Sequence, residues 1–285
     1  MEIKLDKVTA DYQLGPMRTP RVLDAVDINL KPGTFTAVVG HTGAGKSSLL
    51  KVLNGLLLPN NGQVMVGDTV IKQDDNKKAL KAIRKRVGMV FQFPEAQLFA
   101  ETVEKDICFG PLNFGVSLSK AKEIARVAIK QVGLDESLLS KSPFSLSGGQ
   151  KRRVAIAGVL AMEPDILVLD EPGAGLDPTG KKEILSLISS WNRTKQLTTV
   201  LVTHDMDDVA RFADDVAVME KGQVVSHDTV RNTFSNQDQL DKWHIDLPSA
   251  RRFQLKLEQT TGLILAATCL TEEELADALI KVGLV

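Results

Sequence analysis

The stretch TFTAVVGHTGAGKSSLL, residues 34–50, decides the fold. It opens as a short apolar run of strand composition and closes into a helical pattern, with Leu49, Leu50, Leu53 and Leu57 on one face. Between them lies G-x-x-x-x-G-K-S, from Gly40 to Ser47. A glycine-rich turn from strand to helix presents backbone N–H groups and the positive end of a helix dipole, which suits phosphate oxygens. Lys46 is placed to neutralise β- and γ-phosphates, and the Ser47 hydroxyl to ligate Mg²⁺. The segment Gly40, His41, Thr42, Gly43, Ala44, Gly45, Lys46, Ser47 and Ser48 is therefore the expected cradle for a nucleoside triphosphate.

Working outward, short apolar runs bounded by turn residues recur through the first 230 positions. IKLDKV, VDINL, QVMVG, VGMVF, DILVLD, TTVLVT and DVAVME join TFTAVV as predicted strands. Helical patterns lie between several of them; Ile184, Leu185, Ile188 and Trp191 follow Asp177-Pro178, an N-cap and a proline at the first helical position. The alternation predicts an α/β domain with a largely parallel sheet. Residues 95–162 interrupt it as a helical insertion, with Ala121, Ile124, Ala125, Ala128, Ile129 and Val132 at helical spacing. A third unit is expected over 236–285, ending in a helix that Thr271 and Glu274 open as a capping box.

Composition narrows the partners. Thirty-five basic against thirty-six acidic residues leave a net charge of −1, which gives no broad footprint for nucleic acid. Cys108 and Cys269 stand far apart, in neither metal-ligand nor redox spacing, and read as buried thiols of a reducing compartment. MEIKLDKVTADY shows no leader pattern, and no apolar run reaches the roughly 18–20 residues of a membrane span. A cytoplasmic protein reaching the membrane only through a partner is expected.

Downstream, DILVLDEP (165–172) runs a buried strand into two adjacent carboxylates. Asp170 is expected to hold Mg²⁺, and Glu171 to accept a proton from, or orient, the water that attacks a γ-phosphate. SLSGGQKRR (145–153) then carries LSGGQ, which resembles the signature of ATP-binding-cassette (ABC) ATPases. The order Tyr12, GHTGAGKS, Gln92, LSGGQ, LVLDEP, AGLDP and His204 resembles the whole motif series of that family over roughly residues 3–230. The resemblance implies a P-loop cassette: a RecA-like core, an antiparallel β region and an α-helical subdomain, within 1–235, with a small α-rich C-terminal domain. It implies that Tyr12 stacks on adenine, Gln92 ligates Mg²⁺, and His204 is the switch histidine that contacts the γ-phosphate. It further implies that Ser147, Gly148, Gly149, Gln150 and Asp177 serve a nucleotide held by an opposing cassette. Gly173 departs from the commoner threonine or serine after DEP.

FQFPEAQLFAETVEKDICFGPLNFGV (91–116) and KSPFSLSGGQKRRVAIAGVLAMEPDILVLDEP (141–172) resemble the ATPases of energy-coupling-factor (ECF) transporters, most closely the second of their two homologous ATP-binding subunits. That resemblance implies ATP hydrolysis driving vitamin or micronutrient uptake, with a second ABC ATPase, a transmembrane T subunit and an S component as partners. It also implies a groove beside Gln92 that takes a coupling helix, with Pro94, Glu95, Gln97, Leu98 and Phe99 docking it and Glu95 pairing an arginine of that helix. The C-terminal extension is implied to hold two ATPase subunits together. The alternatives are the ATPase of a cobalt- or nickel-type importer and a non-transport ABC protein.

Overall fold

The computed structural model describes residues 1–12, 21–73 and 77–284. β1 (Ile3–Ala10) and β2 (Leu23–Leu30) pair antiparallel and bury alternate side chains, as half-covered strands do. β3 (Phe35–Val39) is buried at every position and leads into the glycine loop and α1 (Lys46–Leu53). The sequence pattern carries that helix to Leu57, but it stops at Asn54. The Asn54 amide donates to the Val87 carbonyl at 2.5 Å, and Gly55 turns the chain away at a φ of 68°. β4 (Asn61–Val66) and β5 (Thr69–Ile71) complete a small antiparallel sheet in the order β2-β1-β4-β5.

After α2 (Lys77–Arg86), β6 (Val87–Val90) enters the main sheet, and the chain leaves it for the insertion: α3 (Val103–Asn113), α4 (Leu118–Gln131) and α5 (Gly148–Leu160). It returns through β7 (Ile166–Asp170), α6 (Pro178–Lys195), β8 (Thr198–Val202), α7 (Met206–Phe212), β9 (Asp215–Glu220) and β10 (Gln223–Thr229). The main sheet runs β10-β9-β3-β8-β7-β6 and is parallel except for the β9-β10 hairpin. Strand alternation splits its side chains between two cores. Val38, Val168 and Val200 face α1 and the small sheet, whereas Leu167, Leu169 and Leu201 face the insertion and α6.

All eight sequence-predicted strands are present; β5 and β10 are additional. β5 has only three residues, and β10 is a largely exposed edge strand of polar composition, so neither carries an apolar run. Beyond them, α8 (Val230–Ser235) and α9 (Gln237–Trp243) pack Phe234 and Leu240 on Val216 and Val218 of β9. α10 (Ser249–Thr261) and α11 (Glu272–Lys281) enclose a separate small core of Ala250, Leu265, Cys269 and Leu275. At the start of α11, Thr271 accepts the Glu274 N–H as the capping box requires, but Glu274 reaches back to the Leu270 N–H, one residue earlier. Among the described residues no helix is long and apolar enough to cross a membrane.

Candidate active site

The glycine loop holds Gly40, Gly43 and Gly45 at φ values of 143°, 83° and 101°. At Gly45 a β-carbon would sit 2.5 Å from the Val22 carbonyl oxygen, so only glycine lets the loop lie this close to the chain entering β2. Lys46 folds back over the loop, its Nζ donating to the carbonyls of Gly40 at 2.6 Å and His41 at 2.8 Å. Burial holds its ammonium below the ordinary lysine range, against the pull of the Glu171 and Asp170 charges. Ala44 and Ser48 are buried; His41, Thr42 and Ser47 are exposed, and the His41 ring lies 5.5 Å from that of His244. Tyr12 stands beside α1, with its hydroxyl 3.2 Å from Ser48 Oγ and accepting from Lys51 Nζ, which also lies 5.1 Å from the ring centroid.

Parallel strands deliver the remaining polar groups to one edge of the sheet, where open α/β sheets bind ligands. Asp170 ends β7 opposite Val202 of β8, and the Glu171 N–H continues the ladder to the Val202 carbonyl at 3.0 Å. Glu171 then takes a φ of 46°, left-handed for a residue with a side chain, which turns its carboxylate toward its neighbours. Gln92 Nε2 donates to Glu171 Oε2 at 3.2 Å, and His204 Nδ1 lies 3.2 Å from Glu171 Oε1, with the imidazole 78% exposed. Burial pushes the Asp170 carboxyl above its ordinary range, against the lowering effect of its hydrogen bond to Ser47. A serine hydroxyl hydrogen-bonded to a carboxylate beside a phosphate loop is an all-oxygen donor set that fits Mg²⁺.

On the insertion, Ser147 caps α5. Its Oγ accepts the Gln150 N–H at 3.3 Å while its own N–H donates to Gln150 Oε1 at 3.0 Å, a complete capping box. Gly148 and Gly149 begin the helix with open space beside them, so its positive end is uncovered. Asp177 caps α6 through the Gly180 N–H at 3.0 Å.

The segment after Gln92 differs from expectation at two positions. Glu95 was expected to reach a partner's arginine, but both its oxygens accept from Arg152 of this chain, Oε2 from Nε at 2.9 Å and Oε1 from Nη2 at 2.7 Å. Pro94 was expected to dock the helix, but it is buried; Leu98 is 9% exposed, packing into the core of the insertion and lining the groove beside it. Gln97 and Phe99 do face outward; Phe99 meets Phe109 edge-on, with ring centroids 4.8 Å apart. These two rings, with Gln97, Phe91, Arg84 and Asp106, edge a groove of about 370 Å³. Asp106 accepts the N–H groups of Phe99 and Ala100, and burial raises its carboxyl above the ordinary range.

Sequence reasoning missed Arg152 and Lys181. Arg152 is 2% exposed and, besides Glu95, donates Nη1 to the carbonyls of Pro172 at 3.2 Å and Ala174 at 2.7 Å. It lies five residues after Ser147, so its place in KRR gave no sign that it points inward.

A phosphate loop and an acidic strand end on one largely parallel sheet, with a helical insertion whose last helix, α5, opens with SGGQ, define an ATP-binding cassette. The ABC transporter family profile matches residues 23–174. The chain is 52% identical over 279 residues to an energy-coupling factor transporter ATP-binding protein, EcfA2, of Geobacillus kaustophilus, covering 98% of this chain and 96% of the relative. The Bacillus licheniformis protein of the same name is 53% identical over 280 residues, covering 97% and 96%. Among solved structures, cbiO1 from Clostridium perfringens, part of the ABC transporter complex cbiONQ, superposes with a TM-score of 0.73 at 33% identity, over 92% of this chain and 98% of that one. A dimeric post-hydrolysis state of the cassette MJ0796, bound to ADP and Pi, gives 0.71 at 31% identity, over 80% and 99%. The chain belongs to the ABC transporter family, among the ATP-binding proteins of energy-coupling factor transporters, and is an ATPase of that class.

Proposed function

We propose that this chain hydrolyses ATP to drive uptake of a vitamin or related micronutrient, in a complex with a second, homologous ATPase, a transmembrane T subunit and an S component, on the cytoplasmic face of the membrane. The observation that carries the reading is the apolar groove edged by Phe99, Phe109 and Gln97; its lining includes Phe91, the neighbour in sequence of Gln92 at the nucleotide edge. A helix of a membrane partner fits such a groove through its apolar face. Asp106, rather than Glu95, is the carboxylate placed to meet a basic side chain there.

At the nucleotide edge, the loop N–H groups and Lys46 bind the phosphates, and Tyr12 lies beside α1 to receive the base. Glu171 accepts the proton of the attacking water, and Gln92 and His204 hold its two oxygens in place. Ser47, Asp170 and Gln92 would hold Mg²⁺, which neutralises phosphate charge when bound. Ser147, Gly148, Gly149, Gln150 and Asp177 complete the site of the opposing cassette, which the open α5 terminus favours.

Purification from detergent-solubilised membranes, followed by mass spectrometry, tests this. Recovery of a distinct second ATPase with integral membrane proteins supports it; recovery of no membrane protein overturns it. A second reading is the ATPase of a cobalt- or nickel-type importer built on two copies of one cassette. A single kind of ATPase in the complex would select that reading.

A further inference from the structure

Gly173 is the one departure from the expected motif series, and the space it leaves is occupied. A β-carbon at position 173 would meet Lys181 Cγ at 2.6 Å and Cδ at 3.1 Å, because the lysine stem crosses directly over the loop that follows Glu171. The ammonium ends at the start of α7, 2.5 Å from Asp205 Oδ2 and 2.6 Å from Asp208 Oδ2. Asp205 follows His204 directly, accepts the N–H groups of Asp207 and Asp208 as the cap of α7, and donates its own N–H to Thr203 Oγ1 at 3.1 Å. The other end of the lysine stands in the first turn of α6, where its N–H donates to the Asp177 carbonyl at 3.0 Å. A cavity of about 220 Å³ adjoins these groups and is lined by Glu171, Gly173, Lys181, Thr203, His204 and Asp208.

We infer that Lys181 is a positioning residue: it locks the start of α7, and with it His204, to the start of α6 and the loop after Glu171, through space that only glycine at 173 leaves. Resting on the roles proposed for Glu171 and His204, the inference adds a route by which movement of the Asp177 segment reaches the histidine. His204 is 78% exposed, and among the described residues its side-chain partner is Glu171 itself, so the backbone of Thr203–Asp205 does most to fix where the imidazole stands. Burial acts to lower the Lys181 pKa, but its contacts with Asp205 and Asp208 outweigh that and raise it, so the ammonium stays charged at any pH where the enzyme works. Without it, Asp205 and Asp208 repel each other beside the histidine.

The test is steady-state ATP turnover by the complete complex. Lys181→Met is expected to lower kcat about 10- to 100-fold, the scale of a small misplacement at a reacting centre, with KM for ATP within about twofold. Lys181→Cys treated with bromoethylamine regains an ammonium at nearly the same reach, and is expected to recover most of kcat; Cys108 and Cys269 are buried and do not compete. Gly173→Ser is expected to lower kcat in the natural background and to cost much less on Lys181→Ala, where the stem is gone. Unchanged kcat in Lys181→Met overturns the inference, and so does a loss that raises KM, lowers the melting temperature in step and is not restored by aminoethylation. Glu171→Gln and His204→Ala run alongside. If those two keep full turnover, the assignment of the hydrolytic residues has failed; if they lose it while the Lys181 variants do not, only the present inference has.

Discussion

At Glu171 one carboxylate is held by an amide on one oxygen and an imidazole on the other. Glu171→Gln is expected to reduce ATP turnover by about 10²–10⁴-fold, the usual worth of a positioned base, while nucleotide binding, followed by fluorescence, stays near its natural value. Lys46→Met is expected to weaken nucleotide binding itself. It removes a charge-assisted contact worth about 1.5–3 kcal/mol, so affinity for ATP falls roughly 10- to 100-fold. Both residues were legible in the sequence because each sits at a fixed offset inside a motif whose chemistry requires that residue type. Arg152 and Lys181 were not, since an arginine in KRR or a lysine in a first helical turn has the pattern of a solvated charge; only the fold buries the first and pairs the second with Asp205 and Asp208.

Arg152 belongs to the element scale, because it ties the segment after Gln92, the α5 helix and the loop after Glu171 into one joint. Arg152→Met is expected to destabilise by about 2–3 kcal/mol, below the usual cost of breaking a fully buried pair because a quarter of the Glu95 side chain remains in water. The urea midpoint measures this. The joint also has a pH signature. Burial acts to raise the Glu95 pKa, but the hydrogen bonds and charge of Arg152 outweigh it and leave the carboxyl below 4.5. Its contribution is therefore complete above pH 4.5 and is lost as pH falls through the lower folded value. The melting-temperature gap between the natural chain and Glu95→Gln is accordingly expected to be widest near neutrality and to close in acid. Strands were the most legible elements, since a parallel sheet covered on both faces needs continuous apolar runs. The end of α1 was not, because Leu57 prolongs the periodicity past the point where Asn54 and Gly55 turn the chain.

Across the whole molecule, α7 is held from two sides. Lys181 anchors its start, and Asp207 receives both the N–H and the hydroxyl of Ser249, each at 2.7 Å, where α10 begins. Arg211 to Glu273 and Arg231 to Glu274 add further ties from the cassette to the C-terminal extension. Asp207→Ala is expected to speed proteolytic release of the extension severalfold while the cassette stays folded, as limited digestion would show. The extension was legible as a third unit ending in a capped helix, but these ties were not, because they join residues far apart in the chain. One consequence remains at Glu171. Its left-handed backbone costs about 1 kcal/mol that glycine would not incur. Glu171→Gly is therefore expected to give a protein that melts higher and hydrolyses nothing, so selection for thermal stability alone would drift toward an inert nucleotide binder.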